Sequence, residues 1–126
     1  MTGITRKRVA SPLLVVLVAG CATERLYPGP PLPAAERAVV RADPALSAGL
    51  PVTLRLRRVD GNEVPLTAFR VELAPGAHEL LVDCSVRESG SVRRFTLAVA
   101  LEPGARYRLE AEADARNCEA VRLIAD

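Results

Sequence analysis

Tryptophan is absent from this 126-residue chain, and its other aromatics are two Phe and two Tyr. Sugar recognition leans on stacking against aromatic faces, so a glycan site starts with little material. Histidine occurs once, as His78, and the three cysteines show no CxxC spacing. No ligand set is therefore spaced for zinc. Asp60 and Glu63 in "DGNEVP" lack the alternating acids of a calcium loop, and no metal is expected. A GxSxG elbow and a Gly-rich phosphate loop are both missing. No catalytic residue and no cofactor are assigned. Long apolar runs are missing too: the one candidate, Val9 to Ala19, is broken by Ser11 and Pro12. It is about half the ~20 residues that a membrane-spanning helix needs.

That short run carries information through its flanks. Arg6, Lys7 and Arg8 precede it, and Val18-Ala19-Gly20-Cys21 ends it. A basic stretch, an apolar stretch and small residues before a cut are the parts of a secretory signal. The ending resembles the lipobox of bacterial lipoproteins. In that family the cysteine thiol receives a diacylglyceryl group, a signal peptidase cuts before it, and the new amino group is acylated, commonly with palmitate. The resemblance implies a signal peptide over residues 1–20, lipidation at Cys21 and a membrane partner through that anchor. Several acyl chains make physical sense, because one chain at ~0.8 kcal/mol per buried CH2 binds only marginally. Ala22, a residue other than Asp after the cysteine, implies by the same resemblance the periplasmic face of the outer membrane.

Cleavage would change the charge. Arg6, Lys7 and Arg8 account for 3 of the 17 basic residues, which leaves 14 against 15 acidic ones. A near-neutral mature chain gives no electrostatic case for nucleic acid. Cleavage also resolves the odd cysteine count. With Cys21 lipidated, Cys84 and Cys118 remain as a pair, and an oxidising compartment favours their disulfide.

Beyond Cys21, "YPGPPLP" places Pro28, Pro30, Pro31 and Pro33 close together. Such a stretch prefers extended polyproline II and reads as a spacer, with a ligand for an aromatic groove as the sharper alternative. A lipidated Pro-rich tether is expected over residues 21–35 and a folded domain over 36–126.

The domain reads as strands. Residues 37–42 are short and apolar in the middle. Val52, Leu54 and Leu56 alternate with Thr53, Arg55 and Arg57, and Val59 falls off that alternation, which implies a bulge or strand end near Arg58. Asp60-Gly61-Asn62 is a turn signal. Three further alternating sets are expected inward: Phe69, Val71 and Leu73; Leu80, Val82, Cys84 and Val86; Phe95, Leu97, Val99 and Leu101. A turn is expected at residues 88–91. Tyr107, Leu109 and Ala111 continue the pattern, and a last strand starts at Cys118. Helix competes over residues 109–124, where Ala and Glu favour it. "LAPGAHELLV" and "LEPGARYRLE" share Leu, Pro, Gly and Ala at an offset of 28 residues. Both read as one hairpin device, with Pro presetting φ and Gly taking positive φ. About seven short strands with frequent turns predict an all-β domain, a small antiparallel β-sandwich.

The order of "RVDGNEV", "ELAPGAHELLVDCSV" and "LEPGARYRLEAEA" resembles small bacterial lipoproteins and is similar to PEGA-type envelope domains. This chain has Ala-Pro-Gly-Ala and Glu-Pro-Gly-Ala where that signature has Pro-Glu-Gly-Ala. The resemblance implies a small β-sandwich in the envelope and no catalytic residues. Two binding readings follow. A structural or interaction lipoprotein would meet an envelope protein partner, through an exposed edge strand for example. A glycan- or lipid-binding module is the alternative, and an enzyme is disfavoured. Arg55, Arg57, Arg93 and Arg94, with Arg70 and Arg87, are a candidate outward face for anionic ligands. Glu72 and Glu79 are the expected cross-strand partners if that face is merely solvated. His78 is expected as a surface or cross-strand partner.

Overall fold

The computed structural model describes residues 23–42, 45–47 and 50–126. Cys21 and the signal-like segment lie outside the described residues. No helix occurs among the described residues.

Ten strands follow one another: β1 (Thr23–Arg25), β2 (Ala38–Arg41), β3 (Ala45–Ser47), β4 (Leu50–Val59), β5 (Asn62–Glu63), β6 (Arg70–Leu73), β7 (Gly76–Val86), β8 (Ser91–Leu101), β9 (Arg106–Ala113) and β10 (Cys118–Ala125). They form two sheets packed as a β-sandwich. One has the order β1-β6-β2-β9-β10; the other runs β3-β4-β7-β8, with β5 added to β4. The second sheet is antiparallel throughout, whereas the first is mixed, because β1 joins β6 and β2 joins β9 in parallel. About seven strands were expected. The additional ones, β1, β3 and β5, have two or three residues each, too few to show an alternation.

The long strands follow their apolar period. Val52, Leu54 and Leu56 of β4 are buried, as are Leu80, Val82, Cys84 and Val86 of β7. The pairing of β4 with β7 slips between Leu56 and Arg58. That one-residue bulge returns Val59 to the core, where it is 2% exposed. Asp60 and Gly61, with φ of 50° and 81°, close the two-residue β4–β5 turn, a geometry that demands positive φ at both positions. The stretch where helix competed is β9, a turn and β10. In that turn Asp114 accepts from the backbone N–H groups of Arg116 and Asn117, both at 2.8 Å. This side-chain mimic of a backbone turn replaces the helical one.

Three expectations are corrected. The two Pro-Gly segments are not hairpins. The first links β6 in one sheet to β7 in the other, and the second links β8 back to β9. Both are corners that carry the chain across the sandwich. They lie side by side at one end, since Gly76 pairs with Leu101. Gly104 in the second corner has φ +74°, and a Cβ there would sit 3.0 Å from the Ala35 carbonyl oxygen. Glycine is thus required twice over, by its dihedral and by a backbone passing against it.

The second correction concerns the Pro-rich segment. The sandwich begins at Thr23, not near residue 36. β1 pairs with β6 from Thr23–Arg70 to Arg25–Glu72, the Leu26 N–H donates to the Glu72 carbonyl at 3.0 Å, and Leu26 packs on the core. The prolines form a loop between two strands of one sheet. It is folded back by the Leu32 N–H donating to the Tyr27 hydroxyl at 2.9 Å and by Glu36 N–H donating to the Pro33 carbonyl at 2.9 Å. Proline stiffness serves the loop rather than a reach away from a surface.

Third, Phe69 is not inward: it is 55% exposed. It precedes β6, past the last residue that the opposite sheet covers. Phe95, Leu97 and Val99 do face the core, but only half-buried at its margin.

Candidate interaction surface

Strand β8 forms because "SVRRFTLAVAL" combines β-branched and aromatic residues with alternation and contains neither Gly nor Pro. All eleven residues pair with β7, from Gly76–Leu101 to Val86–Ser91, with no slip. On its other side no strand among the described residues pairs with it. A straight edge of this length presents a row of unpaired N–H and C=O groups. Natural sheets normally blunt such edges with Pro, a bulge or charge. β8 has no Pro and no bulge. Its charges, Arg93 and Arg94, sit near one end, and Phe95 to Leu101 carries none.

Both arginines are engaged. Arg93 shares a face with Cys84, so it points toward the sandwich interior margin. Its guanidinium lies over the Phe95 ring, 5.3 Å from the centroid, and donates to the Cys118 carbonyl at 3.3 Å. Arg94 is on the opposite, outer face and donates to Asp83 at 2.8 Å. The core-facing row Phe95, Leu97 and Val99 therefore borders an open flank between β8 and β10. Arg93 bridges that flank at its end, together with the Ser91 hydroxyl, which donates to Asn117 Oδ1 at 3.2 Å, and the Ser89 hydroxyl, which donates to the Arg116 carbonyl at 2.7 Å.

The four candidate arginines do not form one face. Arg55, Asp83 and Arg94 lie in register across β4, β7 and β8. Asp83 accepts from Arg94 and also lies 3.7 Å from Arg57 Nε, so one carboxylate serves two guanidinium groups. Arg55 donates to the Leu66 carbonyl at 3.2 Å. Arg93 belongs to the other face. Glu72, an expected partner, is in the other sheet and pairs with Arg37 at 3.7 Å. Arg70 is in that sheet as well, and Arg87 is on the β7–β8 turn. Asp83, on the strand between the arginines, was the partner to look for.

Cys84 and Cys118 form a disulfide. It ties β7 to the start of β10, one sheet to the other, and both residues are buried.

His78 faces two oxygens. Its Nε2 donates to the Ala74 carbonyl at 2.6 Å, and its Nδ1 lies 2.5 Å from Asp60 Oδ2. The Glu79 N–H donates to Asp60 Oδ1 at 2.8 Å. With both ring nitrogens engaged, His78 links the β4–β5 turn to the first corner. The Glu79 N–H, and then the His78 hydrogen bond, hold the Asp60 carboxyl below the ordinary aspartate range. Asp114 is lowered likewise, by the N–H groups of Asn117 and Arg116. A carboxylate depressed in the folded chain stabilises above its unfolded pKa, about 3.9 for Asp, and that contribution is lost as pH falls through the folded value. Stability is therefore expected to fall on acidification below about pH 4. Asp60→Asn should flatten part of that fall, read as the urea midpoint against pH. An identical slope in the variant would disprove Asp60's share.

Among the described residues no group of three or more His, Cys, Asp or Glu is placed to hold a metal ion. No family model matches the chain, and neither does any curated protein or solved structure. What the fold and surface define is a small disulfide-tied β-sandwich whose longest edge without a strand partner among the described residues is β8, with the shorter β10 at the edge of the other sheet.

Proposed function

We propose that the chain is a membrane-anchored envelope lipoprotein with a non-catalytic role, lipidated at Cys21 and docking an envelope protein by strand addition along β8. The observation that carries the docking is the eleven-residue edge with no strand partner on its outer side among the described residues. Main-chain hydrogen bonds to an added strand give such a contact its affinity, and pockets for alternate side chains give it selectivity. The half-buried row Phe95, Leu97 and Val99 offers apolar contact for such side chains at the open flank. The anchor rests on the lipobox resemblance, and the periplasmic face of the outer membrane on Ala22.

Two measurements test this. Palmitate labelling of the expressed chain should be lost in Cys21→Ser. A photo-crosslinkable residue at Thr96 should give one discrete protein adduct in the native envelope, and the same residue at Arg122 on β10 should not. No label, or equal adducts from both strands, contradicts the corresponding half. The lipid version of the alternative, a glycan- or lipid-binding module, is favoured by one apolar groove lined by Leu66, Phe69 and Val92.

A further inference from the structure

Leu66, Phe69 and Val92 are the exposed large apolar residues among the described ones, and all three line a single groove. Its volume is about 380 Å³. The floor is the outer face of β4 and β7, with Thr53, Arg55 and Ser85, and the β5–β6 connection supplies Leu66 and Phe69 as one wall. Scattered exposed apolar residues need no explanation, but a contiguous patch does.

Its place in the fold says what covers it. Phe69 is followed by Arg70, and Arg70 is the Cα partner of Thr23. The groove therefore opens at the end of the sandwich where the described chain begins, two residues after Cys21. The opposite end holds both Pro-Gly corners and the Asp60-Gly61 turn. Two extended residues span at most about 7 Å. The headgroup layer on each side of the hydrocarbon is itself about 5–8 Å thick, taking a ~30 Å core within ~40–45 Å overall. Because the prolines follow β1 instead of preceding it, nothing longer intervenes.

We infer that the groove end of the sandwich rests in the membrane interface, with Leu66, Phe69 and Val92 set into the boundary between headgroups and acyl chains of the bilayer that holds Cys21. The inference rests on the proposed lipidation. Apolar side chains at that depth with cationic residues beside them are the pattern of interfacial binding. Arg55 in the groove, Arg70 beside Phe69, and Arg87 on the β7–β8 turn supply the cations. Glu88 shares that turn. The acid lining the groove, Asp83, is already paired with Arg57 and Arg94. The surface is thus suited to anionic lipid. It also orients the molecule, directing the two corners away from the bilayer and leaving β8 standing beside it for a partner.

The absence of tryptophan makes the test clean. Phe69→Trp and Glu102→Trp each place a single indole, the first at the groove and the second in a corner. Both proteins, expressed with the native N-terminus so that lipidation proceeds, are reconstituted into phosphatidylethanolamine–phosphatidylglycerol vesicles with lipids brominated along the acyl chain. Phe69→Trp should show blue-shifted emission and lose intensity to the brominated lipid. Glu102→Trp should do neither. Intact mass of the same samples reports lipidation at Cys21 separately. Lipidated protein with an unquenched indole at position 69, or equal quenching at both positions, overturns the membrane contact and leaves the lipoprotein reading standing. Protein of unmodified mass overturns both.

Discussion

Replacing Cys84 and Cys118 together with alanine should lower the unfolding free energy by about 4 kcal/mol. The bond closes a loop of 34 residues, and the chain-entropy relation for that length gives about 3.8 kcal/mol at 25 °C. Three features of the site support a full effect. Both residues are buried, at 0% and 1% exposure, so the bond is part of the core. It joins the two sheets, which also communicate through the corners, apolar packing and the hydrogen bonds of Arg93 and Ser91 to Cys118 and Asn117. It also lies beside the flank between β8 and β10, where Phe95, Leu97 and Val99 are covered only in part. For a domain of this size each kcal/mol corresponds to about 4–8 °C, so a midpoint drop of about 15 °C or more is expected. Thermal unfolding with and without reductant provides the measurement. An unchanged midpoint in the double variant would show that the sheets hold without the bond.

Much of this architecture was legible because local patterns were strong. Val52, Leu54 and Leu56 announced a half-buried strand, and Val59 announced the bulge near Arg58, since period two admits no other way to bury it. Leu80 to Val86 gave the central strand and placed Cys84 inward. Sheet membership was harder to read. A Pro-Gly turn fixes how the chain reverses locally, but not whether the next strand pairs with the last or crosses to the facing sheet. Both corners look like hairpins for that reason. The prolines misled through composition: Thr23 to Leu26, ahead of them, holds only three strand residues and acquires its structure by pairing with β6, a partner some 47 residues on. The arginine face failed on one residue. Alternation places Arg93 and Arg94 on opposite sides of a strand, so both could not have joined Arg55 on one face. An edge is the least legible feature of all, because it depends on which strands the other segments choose. In hindsight the uncharged run Phe95 to Leu101 was the available sign, being the part of β8 that carries no guard.

That run also permits a test with an internal control. In an antiparallel ladder, successive residues direct their N–H and C=O groups to opposite sides. Of the neighbours Ala98 and Val99, one therefore bonds β7 and the other points to the open edge. Ala98→Pro and Val99→Pro should accordingly behave differently. At the inward-bonding position proline removes a ladder hydrogen bond and its ring crowds β7, so stability falls and the urea midpoint drops. At the outward position the lost N–H had no partner, and edge strands tolerate proline there. That variant should keep its stability and still lose the proposed partner. Its lost donor and projecting ring would oppose any added strand, weakening binding about tenfold or more, a change of about 1.4 kcal/mol per factor of ten. The readouts are the urea midpoint of each variant and the yield of the adduct formed from Thr96. If the stable variant crosslinks as well as the parent, the partner does not add to β8. Docking would then have to be sought on another face.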